Sequence, residues 1–366
     1  MTNGGYFKPF RIGDLFEIRP SKSYGLTNYT LFKEKGLSPV VVNSSINNGI
    51  GGYVNLNTTE KGNSITFSDT TTVDSIFYQP HDFIGYSHVQ IMKEKHSGWS
   101  KNSSLYFVTL MRKAAQGKFD YGTKFNRENA ANLIIKLPIL HEKLSFEYME
   151  KYIYIIEENK LKQLEKYLTS TKIISFELTT EEQEALKKYK FILNLPEEQK
   201  NNYFKFYNSK DLYGEAIRGK RLKSLDRLKG ELPFITAGES LAGVSDYISN
   251  DVQVFNKNTI TIDMFGSAKY RNFKYGADDH VAVVETSNLS KEAGLFVTAA
   301  YNKSANTGVF SFSRNFYAKD ADDLNLALPS TQEGEPDYIF MTLIIKAIEK
   351  QFLKSISDYI KLKRNI

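Results

Sequence analysis

The sequence predicts an α+β protein made of two duplicated, mixed α/β domains and two long helices, with the helices forming an antiparallel, coiled-coil-like pair. Three observations lead to this prediction. A β-rich block recurs with its short segments in the same order, both blocks close on Leu-Pro, and each is followed by a long amphipathic stretch. Such repetition is the signature of an internal duplication. A chain of 366 residues is long enough for two domains that each bury a core.

Matching segments run through the two blocks in the same order. The first block contains Pro39, a β-branched run, a Gly-rich turn and Tyr53, and the second repeats this pattern from Pro233 to Tyr247. Later matches are Asn63 to Phe67 with Asn258 to Ile262, Phe83 to Val89 with Tyr275 to Val281, and Leu137-Pro138 with Leu328-Pro329. Because few residues are identical, the blocks share a scaffold and differ in the side chains displayed on it.

The residue pattern of the first block predicts a substantial sheet with one helix. Its β-branched and aromatic runs, broken by Gly, Asn, Ser and Asp, are typical of short strands. The strands are predicted over residues 39–42, 65–67, 75–78, 88–92 and 133–137, and the helix over 104–111. The chain divides into a first domain (1–141), a first long helix (142–172), an acidic connector (173–202), a second domain (203–335) and a second long helix (336–366).

Helical spacing of apolar residues marks the two long segments. Leu144 and Tyr148 begin the first stripe, which predicts a helix about 45 Å long. The second segment follows Pro336, a residue suited to a helix start. In the connector, Thr179 and Glu182 have the spacing of a capping box and predict a short helix. Each long helix either packs on its own domain or on the other helix; we favour the pair, because such stripes exceed what one small sheet covers.

Composition limits the classes of function. The chain has no cysteine, which excludes disulfide frameworks, thiol catalysis and cysteine zinc sites and fits a reducing compartment. The amino-terminal residues lack the charged and apolar regions of a signal peptide, and no apolar run is long enough to span a membrane. The sequence therefore predicts a cytoplasmic protein without a membrane partner.

Charge favours a polyanion as partner. The formal net charge is +6. Basic residues concentrate in one stretch, opposed there only by Asp226: Arg218, Lys220, Arg221, Lys223, Arg227 and Lys229. Such a cluster favours phosphate groups.

Motifs for catalysis are incomplete. The segment from Gly214 to Arg221 matches a phosphate-binding loop, except that Arg221 replaces the Ser or Thr that would hold magnesium. Asp69, Asp74 and Asp82 are candidates for a metal-dependent hydrolase site, but the second block has no corresponding set in the same order. We therefore expect no catalytic residue and no cofactor.

The five histidines show no metal-ligand spacing on a helix, so no metal site is expected. His88 and His280 stand at equivalent points of the two blocks, each before a Val. We expect this shared imidazole to make a structural hydrogen bond rather than to bind a ligand.

Polar and basic residues in turns are the candidates for nucleic-acid contacts, because such side chains bind phosphates and base edges. In the first domain they are Lys22, Tyr24, Ser44, Ser45, Asn47, Asn48, Lys118, Tyr121, Lys124, Asn126 and Arg127. In the second domain they are Arg218, Lys220, Arg221, Lys223 and Arg271. Their presence in two modules predicts that they bind one DNA duplex.

A family resemblance supports this prediction. The segment from Gly117 to Arg127, followed by Leu133 to Pro138, resembles the target-recognition domain of the specificity subunits of Type I restriction-modification systems. The segment from Thr259 to Ser267 is similar to the sheet segment of these domains. The second block departs from the pattern after its helix, since it has Tyr301 to Gly308 near the place where the first has Lys-Phe-Asp-Tyr-Gly.

The resemblance implies a non-catalytic subunit that binds a split sequence in double-stranded DNA. Each target-recognition domain would bind one half, and the antiparallel helices would set the spacing. The resemblance also implies two methyltransferase subunits and the restriction and translocase subunits as partners, which would carry the chemistry. The chain itself has no Asn-Pro-Pro-Tyr or Asp-Pro-Pro-Tyr methylation motif.

Three other functions remain open. The chain could be the specificity subunit of a Type IIB-like system, in which one partner chain combines methyltransferase and nuclease. From another class, it could be a stand-alone metal-dependent nuclease that uses Asp69, Asp74 or Asp82. A duplicated glycan-binding protein would use the abundant tyrosines for stacking, although the missing export signal opposes that function.

Overall fold

The structure, a computed structural model, describes residues 4–69, 73–119, 123–171, 173 and 175–364. The chain divides into two compact units, Met1–Leu164 and Glu165–Ile366. Each unit contains its own hydrophobic core. The boundary between the units lies within the first long helix.

The first unit is a mixed α/β domain around an antiparallel sheet. Its strands are β1 (Tyr6–Arg11), β2 (Phe16–Pro20), β3 (Lys35–Val41), β4 (Ile50–Val54), β5 (Ser64–Ser68), β6 (Phe77–Gln79), β7 (Val89–Glu94), β8 (Ile134–Leu140) and β9 (Lys143–Leu144). Its helices are α1 (Ile12–Leu15), α2 (Asn28–Leu31), α3 (Lys101–Ala115), α4 (Arg127–Asn132) and the first part of α5 (Phe146–Ser170). The central sheet has the order β2-β7-β5-β6, while β1 pairs with β8, β8 with β9, and β3 with β4.

Helix α3 packs against this sheet and completes the core of the first unit. It begins at a reciprocal capping box between Ser100 and Ser103. On its inner face Phe107 is fully buried, and its ring lies 4.6 Å from that of Phe16 and 5.4 Å from that of Trp99. Aromatic side chains bury large apolar areas. The helix predicted over 104–111 is therefore confirmed, four residues longer at its carboxyl end and three at its start.

The second unit contains a second mixed α/β domain. Its strands are β10 (Phe204–Asn208), β11 (Ile217–Arg218), β12 (Lys229–Ile235), β13 (Val244–Ile248), β14 (Thr259–Asp263), β15 (Ala268–Arg271), β16 (Gly276–Ala277), β17 (Val281–Val284) and β18 (Asn325–Pro329). Its helices are α6 (Thr180–Leu193), α7 (Glu197–Lys200), α8 (Ser209–Tyr213), α9 (Lys291–Ala305), α10 (Ala318–Asp322) and α11 (Tyr338–Arg364). The strand orders are β11-β17-β14-β15, β10-β18 and β13-β12-β16.

Strand order and register repeat between the two domains. The sheet β11-β17-β14-β15 corresponds to β2-β7-β5-β6, the pair β10-β18 to β1-β8, and the hairpin β12-β13 to β3-β4. Pro39 lies opposite Tyr53, and Pro233 lies opposite Tyr247. Both hairpins also have two register shifts at corresponding points. The duplication and the α+β class predicted from the sequence are therefore confirmed.

Both predicted long helices are present, as α5 and α11. The ring of Phe146, at the start of α5, lies 5.2 Å from that of Trp99, and the ring of Tyr152 lies 5.3 Å from that of Tyr106. The first half of α11 packs against α9 and α6, where Met341 is fully buried. Each helix thus begins on its own domain. The antiparallel pairing of the two helices stays a prediction.

The connector forms α6, which packs along α11. The predicted capping box is confirmed: the Thr179 amide donates to the Glu182 carboxylate at 2.9 Å, and the Glu182 amide donates to the Thr179 hydroxyl at 3.2 Å. Glu182 is buried and accepts a hydrogen bond from Lys350 Nζ at 2.8 Å. Burial alone would raise the pKa of Glu182, but the bonds from Lys350 and Thr179 outweigh it and lower that pKa. The connector is therefore part of the second unit.

Candidate nucleic-acid interface

Strand β11 leads directly into an exposed basic segment, residues 219–223. The Gly219 amide donates to the Val281 carbonyl at 3.0 Å, and the Lys220 amide donates to the Ala277 carbonyl at 2.9 Å. These bonds hold the backbone against the sheet while the lysine side chain is exposed. We call residues 219–223 the second basic segment.

The cations around this segment fall into two groups. Lys220, Arg221 and Lys223 are exposed, and within the described part of the chain their side chains have no carboxylate partner. Arg218, in contrast, contacts Asp279 at 3.2 Å and lies over the ring of Tyr317, 5.3 Å from its centroid. The first group is therefore available to phosphates, whereas Arg218 is partly neutralised.

The first domain has an equivalent segment, residues 21–24, which we call the first basic segment. The Ser21 amide donates to the Val89 carbonyl at 2.9 Å, the same strand bond that Gly219 makes in the second domain. Lys22 therefore occupies the position of Lys220, and its side chain is exposed. Tyr24 follows, with its hydroxyl donating to the Asn57 carbonyl at 2.9 Å. Both lysines were predicted from the sequence as DNA contacts, but the sequence alone does not reveal that their positions are equivalent.

A buried carboxylate fixes the first basic segment. Glu60 accepts the Lys22 amide at 2.6 Å and both terminal nitrogens of Arg19 at 2.8 and 2.7 Å. Glu60 is almost completely buried. Burial acts to raise the pKa of Glu60, but the bonds from Arg19 and Lys22 outweigh it and hold the pKa below its ordinary value.

Replacing Glu60 by Gln is expected to destabilise the first unit by about 2 kcal/mol at neutral pH, because Arg19 then keeps a charge without its carboxylate. Since the folded-state pKa is lowered, this stabilisation is complete above the unfolded-state pKa of about 4.3 and is lost as the pH falls through the lower folded-state value. Denaturant unfolding of both proteins across pH measures this. The difference between them should be constant at neutral pH and shrink in acid.

The matched control is Lys61→Gln, next in the chain. Lys61 contacts Asp82 at 2.8 Å, but its side chain is 90% exposed. Exposed ion pairs contribute little, so this variant should unfold like the wild type. Equal destabilisation by both substitutions would contradict the role assigned to Glu60.

A tight turn follows the first hairpin strand in each domain, and we call the two the left-handed turns, residues 44–49 and 238–243. Consecutive residues with positive φ are Asn47 (49°), Asn48 (53°) and Gly49 (76°) in the first, and Leu241 (49°), Ala242 (54°) and Gly243 (81°) in the second. Both turns close identically: the Val42 amide donates to the Gly49 carbonyl at 2.8 Å, and the Thr236 amide donates to the Gly243 carbonyl at 2.9 Å. The two turns therefore share their closing hydrogen bond and the left-handed conformation of their last three residues.

Arg271, a candidate for DNA contact in the sequence, does not lie at the surface: its side chain is only 2% exposed. Its Nε donates to the Thr261 hydroxyl at 2.9 Å and its Nη1 donates to the Ala242 carbonyl at 2.8 Å. Burial lowers the pKa of Arg271 to about 10, which leaves the guanidinium charged at neutral pH. Arg271 is therefore an internal support of the second left-handed turn.

Gln79 has the same position and role in the first domain. It lies opposite Ser64 on the neighbouring strand, as Arg271 lies opposite Thr259. Its Nε2 donates to the Thr66 hydroxyl and to the Asn48 carbonyl, both at 3.0 Å. Two different side chains thus make the same pair of hydrogen bonds under the two turns.

The loop between α3 and α4 also has a counterpart, between α9 and α10. We call residues 117–126 and 308–317 the junction loops. Each has the pattern Gly-x-Phe-x₅-Phe, and the equivalent residues are Gly117, Phe119 and Phe125 in the first and Gly308, Phe310 and Phe316 in the second. The two phenylalanine rings lie 5.0 Å apart in the first loop and 4.9 Å apart in the second. The apparent departure of the second block is therefore corrected: its equivalent segment begins at Gly308.

The exposed residues of the second junction loop were not predicted as DNA contacts from the sequence. Val309 and Phe312 are 63% and 85% exposed, and Arg314 contacts Asp320 at 2.7 Å. The Gly-x-Phe-x₅-Phe spacing, which both loops share, is the sequence signal that could have identified these residues. In the first loop Lys118 and Lys124 are exposed, as is Arg127 at the start of α4, and their contact with DNA stays a prediction.

Two further candidates of the first domain differ in their surroundings. Asn126 begins α4, and its side chain accepts the Asn129 amide at 2.8 Å, so it caps the helix. Tyr121 lies outside the described residues. In the first left-handed turn, Ser45 and Asn47 are exposed, whereas the Asn48 side chain donates to the Tyr78 carbonyl at 3.1 Å. Ser44 accepts the Ile46 amide at 3.2 Å.

In the second domain the three features lie at one end of the sheet. Asp278 accepts the amide of Leu222, in the basic segment, at 3.2 Å and donates its own amide to Ile235, the residue that ends β12 before the turn, at 2.9 Å. The turn then meets the end of β14, where the Gly238 amide donates to Asp263 at 3.4 Å. Beyond β14, the ring of Phe265 lies 5.1 Å from that of Phe312 in the junction loop.

The carboxylates considered for a hydrolase have separate partners. Asp69 accepts from Gln90 Nε2 at 2.7 Å and lies 3.0 Å from His88 Nδ1. Asp82 contacts Lys61 and accepts the Gly62 amide at 2.9 Å. These contacts give Asp69 and Asp82 separate structural partners.

Across the described residues, the carboxylate and imidazole groups that could jointly hold a metal ion are those of Asp278, Asp279 and His280. They are consecutive in the chain, and His280 Nδ1 lies 3.2 Å from Asp279. His88 and His280 thus both lie beside an aspartate, but the partners are not equivalent: His88 lies beside Asp69, at the end of β5, and His280 beside its chain neighbour Asp279.

Comparison with known proteins identifies the family. A model of the Type I restriction modification DNA specificity domain matches residues 6–166 and 201–358, one copy on each domain. The chain belongs to this family. A specificity subunit is thus the role of the chain in a restriction-modification system, and the two family domains coincide with the repeated strand order described above.

Two relatives extend over nearly the whole specificity chain. The Type II restriction enzyme BgcI specificity subunit S.BcgI of Heyndrickxia coagulans is 24% identical over 360 residues, which cover 96% of this chain and 97% of that protein. The crystal structure of the S subunit of a Type I restriction-modification system from M. genitalium is 13% identical, with a TM-score of 0.56 over 99% of this chain and 94% of that one. This likeness shows a shared fold. In the described ranges, the specificity chain has no helix with the length and apolarity to cross a membrane.

Proposed function

We propose that this specificity subunit binds a bipartite sequence in double-stranded DNA, with one half-site contacted by each domain, and that it is not itself catalytic. The observation that carries this proposal is the repeated interface: each domain presents a basic segment, a left-handed turn and a junction loop on the same framework, with different side chains. Phosphate contacts fix position on DNA, while side chains at base edges give sequence information. Two such surfaces with different side chains suit two different half-sites.

The partners in this proposal are methyltransferase subunits, two per specificity subunit, and restriction and translocase subunits. Residues 1–141 and 203–335 are the proposed half-site domains, and residues 142–172 and 336–366 are the proposed spacing helices. The Heyndrickxia relative is a specificity subunit of a Type II enzyme, which supports the Type IIB-like arrangement as the second candidate. The two arrangements differ in whether the methyltransferase and nuclease are one chain or separate chains. The cytoplasm is the proposed location, where DNA is accessible.

The test is co-expression of the chain with its cognate methyltransferase in a host without DNA methylation, followed by mapping of modified bases. We expect one split motif, absent when the specificity chain is omitted. Point changes in the first domain should alter one half of the motif and leave the other half unchanged. A stable complex that adds no methylation would contradict the proposal.

A second measurement tests the alternative that the chain is a stand-alone metal-dependent nuclease. The purified chain alone is incubated with DNA and magnesium. We expect no cleavage. Cleavage that is lost on replacement of Asp69, Asp74 or Asp82 would favour the stand-alone nuclease instead.

A further inference from the structure

The backbone of the two left-handed turns is costly to form. The left-handed region of φ and ψ costs a residue other than Gly about 1 kcal/mol or more in conformational free energy. Each turn contains two such residues in succession. Asn tolerates the region best, yet the second turn has Leu241 and Ala242 there, whose side chains offer no polar group in compensation. The surrounding fold must therefore maintain this conformation.

The support under each turn is the pair of hydrogen bonds made by Gln79 and Arg271. Each residue bridges a strand threonine and the carbonyl of the second left-handed residue, Asn48 or Ala242. An amide and a guanidinium have different size and charge. That both make the same two bonds shows that the support at the second left-handed residue is maintained while its chemistry varies.

The side chains displayed at equivalent positions of the two turns differ. The first turn exposes Ser45, Ile46 and Asn47, and the second exposes Glu239, Ser240 and Leu241 at the same three positions. Ile46 is 74% exposed and Leu241 is 83% exposed. Asn pairs with adenine and Glu accepts from cytosine N4, while apolar side chains contact the thymine methyl group. The two sets therefore have different chemistry toward bases.

Each turn also adjoins its basic segment. In the first domain the Val41 amide donates to Ile84 at 2.9 Å, and the following residue, Gly85, lies against Ser21 and Lys22. The space is so close that a Cβ on Gly85 would lie 2.6 Å from the Lys22 carbonyl oxygen. In the second domain Asp278 makes the equivalent connection. A phosphate bound by the basic segment would thus place the neighbouring turn beside the bases.

We propose that the two left-handed turns are equivalent base-contacting elements, and that Gln79 and Arg271 are the positioning residues that hold them. This inference rests on the proposed function and names its specificity-determining residues: Ser45, Ile46 and Asn47 for one half-site, and Glu239, Ser240 and Leu241 for the other. Their ligand is the edge of the base pairs in each half-site.

The test is to transfer the exposed side chains of the second turn to the first, by Ser45→Glu, Ile46→Ser and Asn47→Leu in one variant of the full chain. The variant is purified with its methyltransferase, and binding is measured on DNA with either half-site altered. We expect at least a tenfold loss of affinity for the first half-site, no change at the second, and a changed first half in the mapped methylation motif. Leu37→Ser, at a residue 94% exposed in the same domain, is the matched control and should change neither.

The positioning residues are tested separately. Arg271→Leu should weaken recognition of the second half-site alone, and Arg271→Gln should restore it, because Gln79 makes the same bonds in the first domain. A residue that only stabilised the fold would instead affect complex formation and thermal unfolding without changing the preference between bases.

The outcomes separate this inference from the function on which it rests. If the wild-type complex yields no split motif, the proposed function fails. If the wild type yields a split motif and the transferred turn leaves both halves unchanged, this inference alone is overturned. Equal weakening of both half-sites by the transferred turn, with normal unfolding, would also overturn it.

Discussion

Neutralising the second basic segment by Lys220→Gln, Arg221→Gln and Lys223→Gln is expected to weaken DNA binding by about 10²- to 10³-fold near 0.1 M salt. Each phosphate contact releases counterions, so each contributes about eightfold at this salt concentration, and the dependence of log K on log[salt] should become shallower by about 0.9 per lost contact. Because these contacts carry no base information, both the intended and unrelated sequences should be bound more weakly.

The measurement is a titration of the assembled complex with duplex DNA at several salt concentrations. The matched control replaces Lys187, Lys190 and Lys361 by Gln, three exposed lysines on α6 and α11 that change the net charge equally. Equal losses in the two variants would show that total charge matters, and that the basic segment has no special role. An unchanged salt slope would remove the three cations from the interface.

Replacing Phe316 by Ala is expected to destabilise the second domain by about 3–5 kcal/mol, since Phe-to-Ala changes at buried sites remove apolar contacts and leave a cavity. Phe316 is 1% exposed, and its amide donates to the Met264 carbonyl at 2.9 Å. Its ring belongs to the hydrophobic core of the second unit and so anchors the junction loop there. Denaturant unfolding and hydrogen exchange of the second-domain amides measure the effect.

Phe312→Ala is the matched control in the same loop, because Phe312 is 85% exposed and its removal leaves the core intact. We expect almost no change in stability from it. If the two variants were equally stable, Phe316 would not be the anchor, and the equivalence between the junction loops would lose its energetic basis.

Much of the fold was predictable because the same pattern occurs twice. Proline, glycine and tyrosine at matching points identified the duplicated segments, and the register pairs Pro39 with Tyr53 and Pro233 with Tyr247. The two long helices were predictable from apolar spacing, and the connector helix from its capping box. Strand β1 was not predicted, since most of its side chains are exposed and it contains Pro9, a residue disfavoured within strands. Its pairing with β8 depends on residues far away in the chain.

The site was less predictable because burial and pairing depend on tertiary contacts. Arg271 looks like a phosphate ligand in the sequence, but a buried cation with satisfied donors cannot be distinguished there from an exposed one. Lys22 and Lys220 were found by charge alone, while their equivalence required the strand register. The equivalent positions of Gln79 and Arg271 had one weak signal in the sequence, a Tyr that precedes each residue. Because an amide and a guanidinium differ chemically, the sequence alone did not reveal the equivalence.

The closing strand pairs, β1 with β8 and β10 with β18, have a consequence for synthesis on the ribosome. Each amino-terminal strand is synthesised long before its partner, so β1 stays unpaired until β8 has been translated. Since both domains use the same closure, β8 faces two competing edges once β10 has emerged, and exchange of closing strands is a characteristic error of repeated domains. The side chains that would meet differ between the two pairs, since Pro9 lies opposite Lys136 in the first and Phe206 lies opposite Ala327 in the second. Divergence between the copies thus protects the nascent chain from joining its halves wrongly.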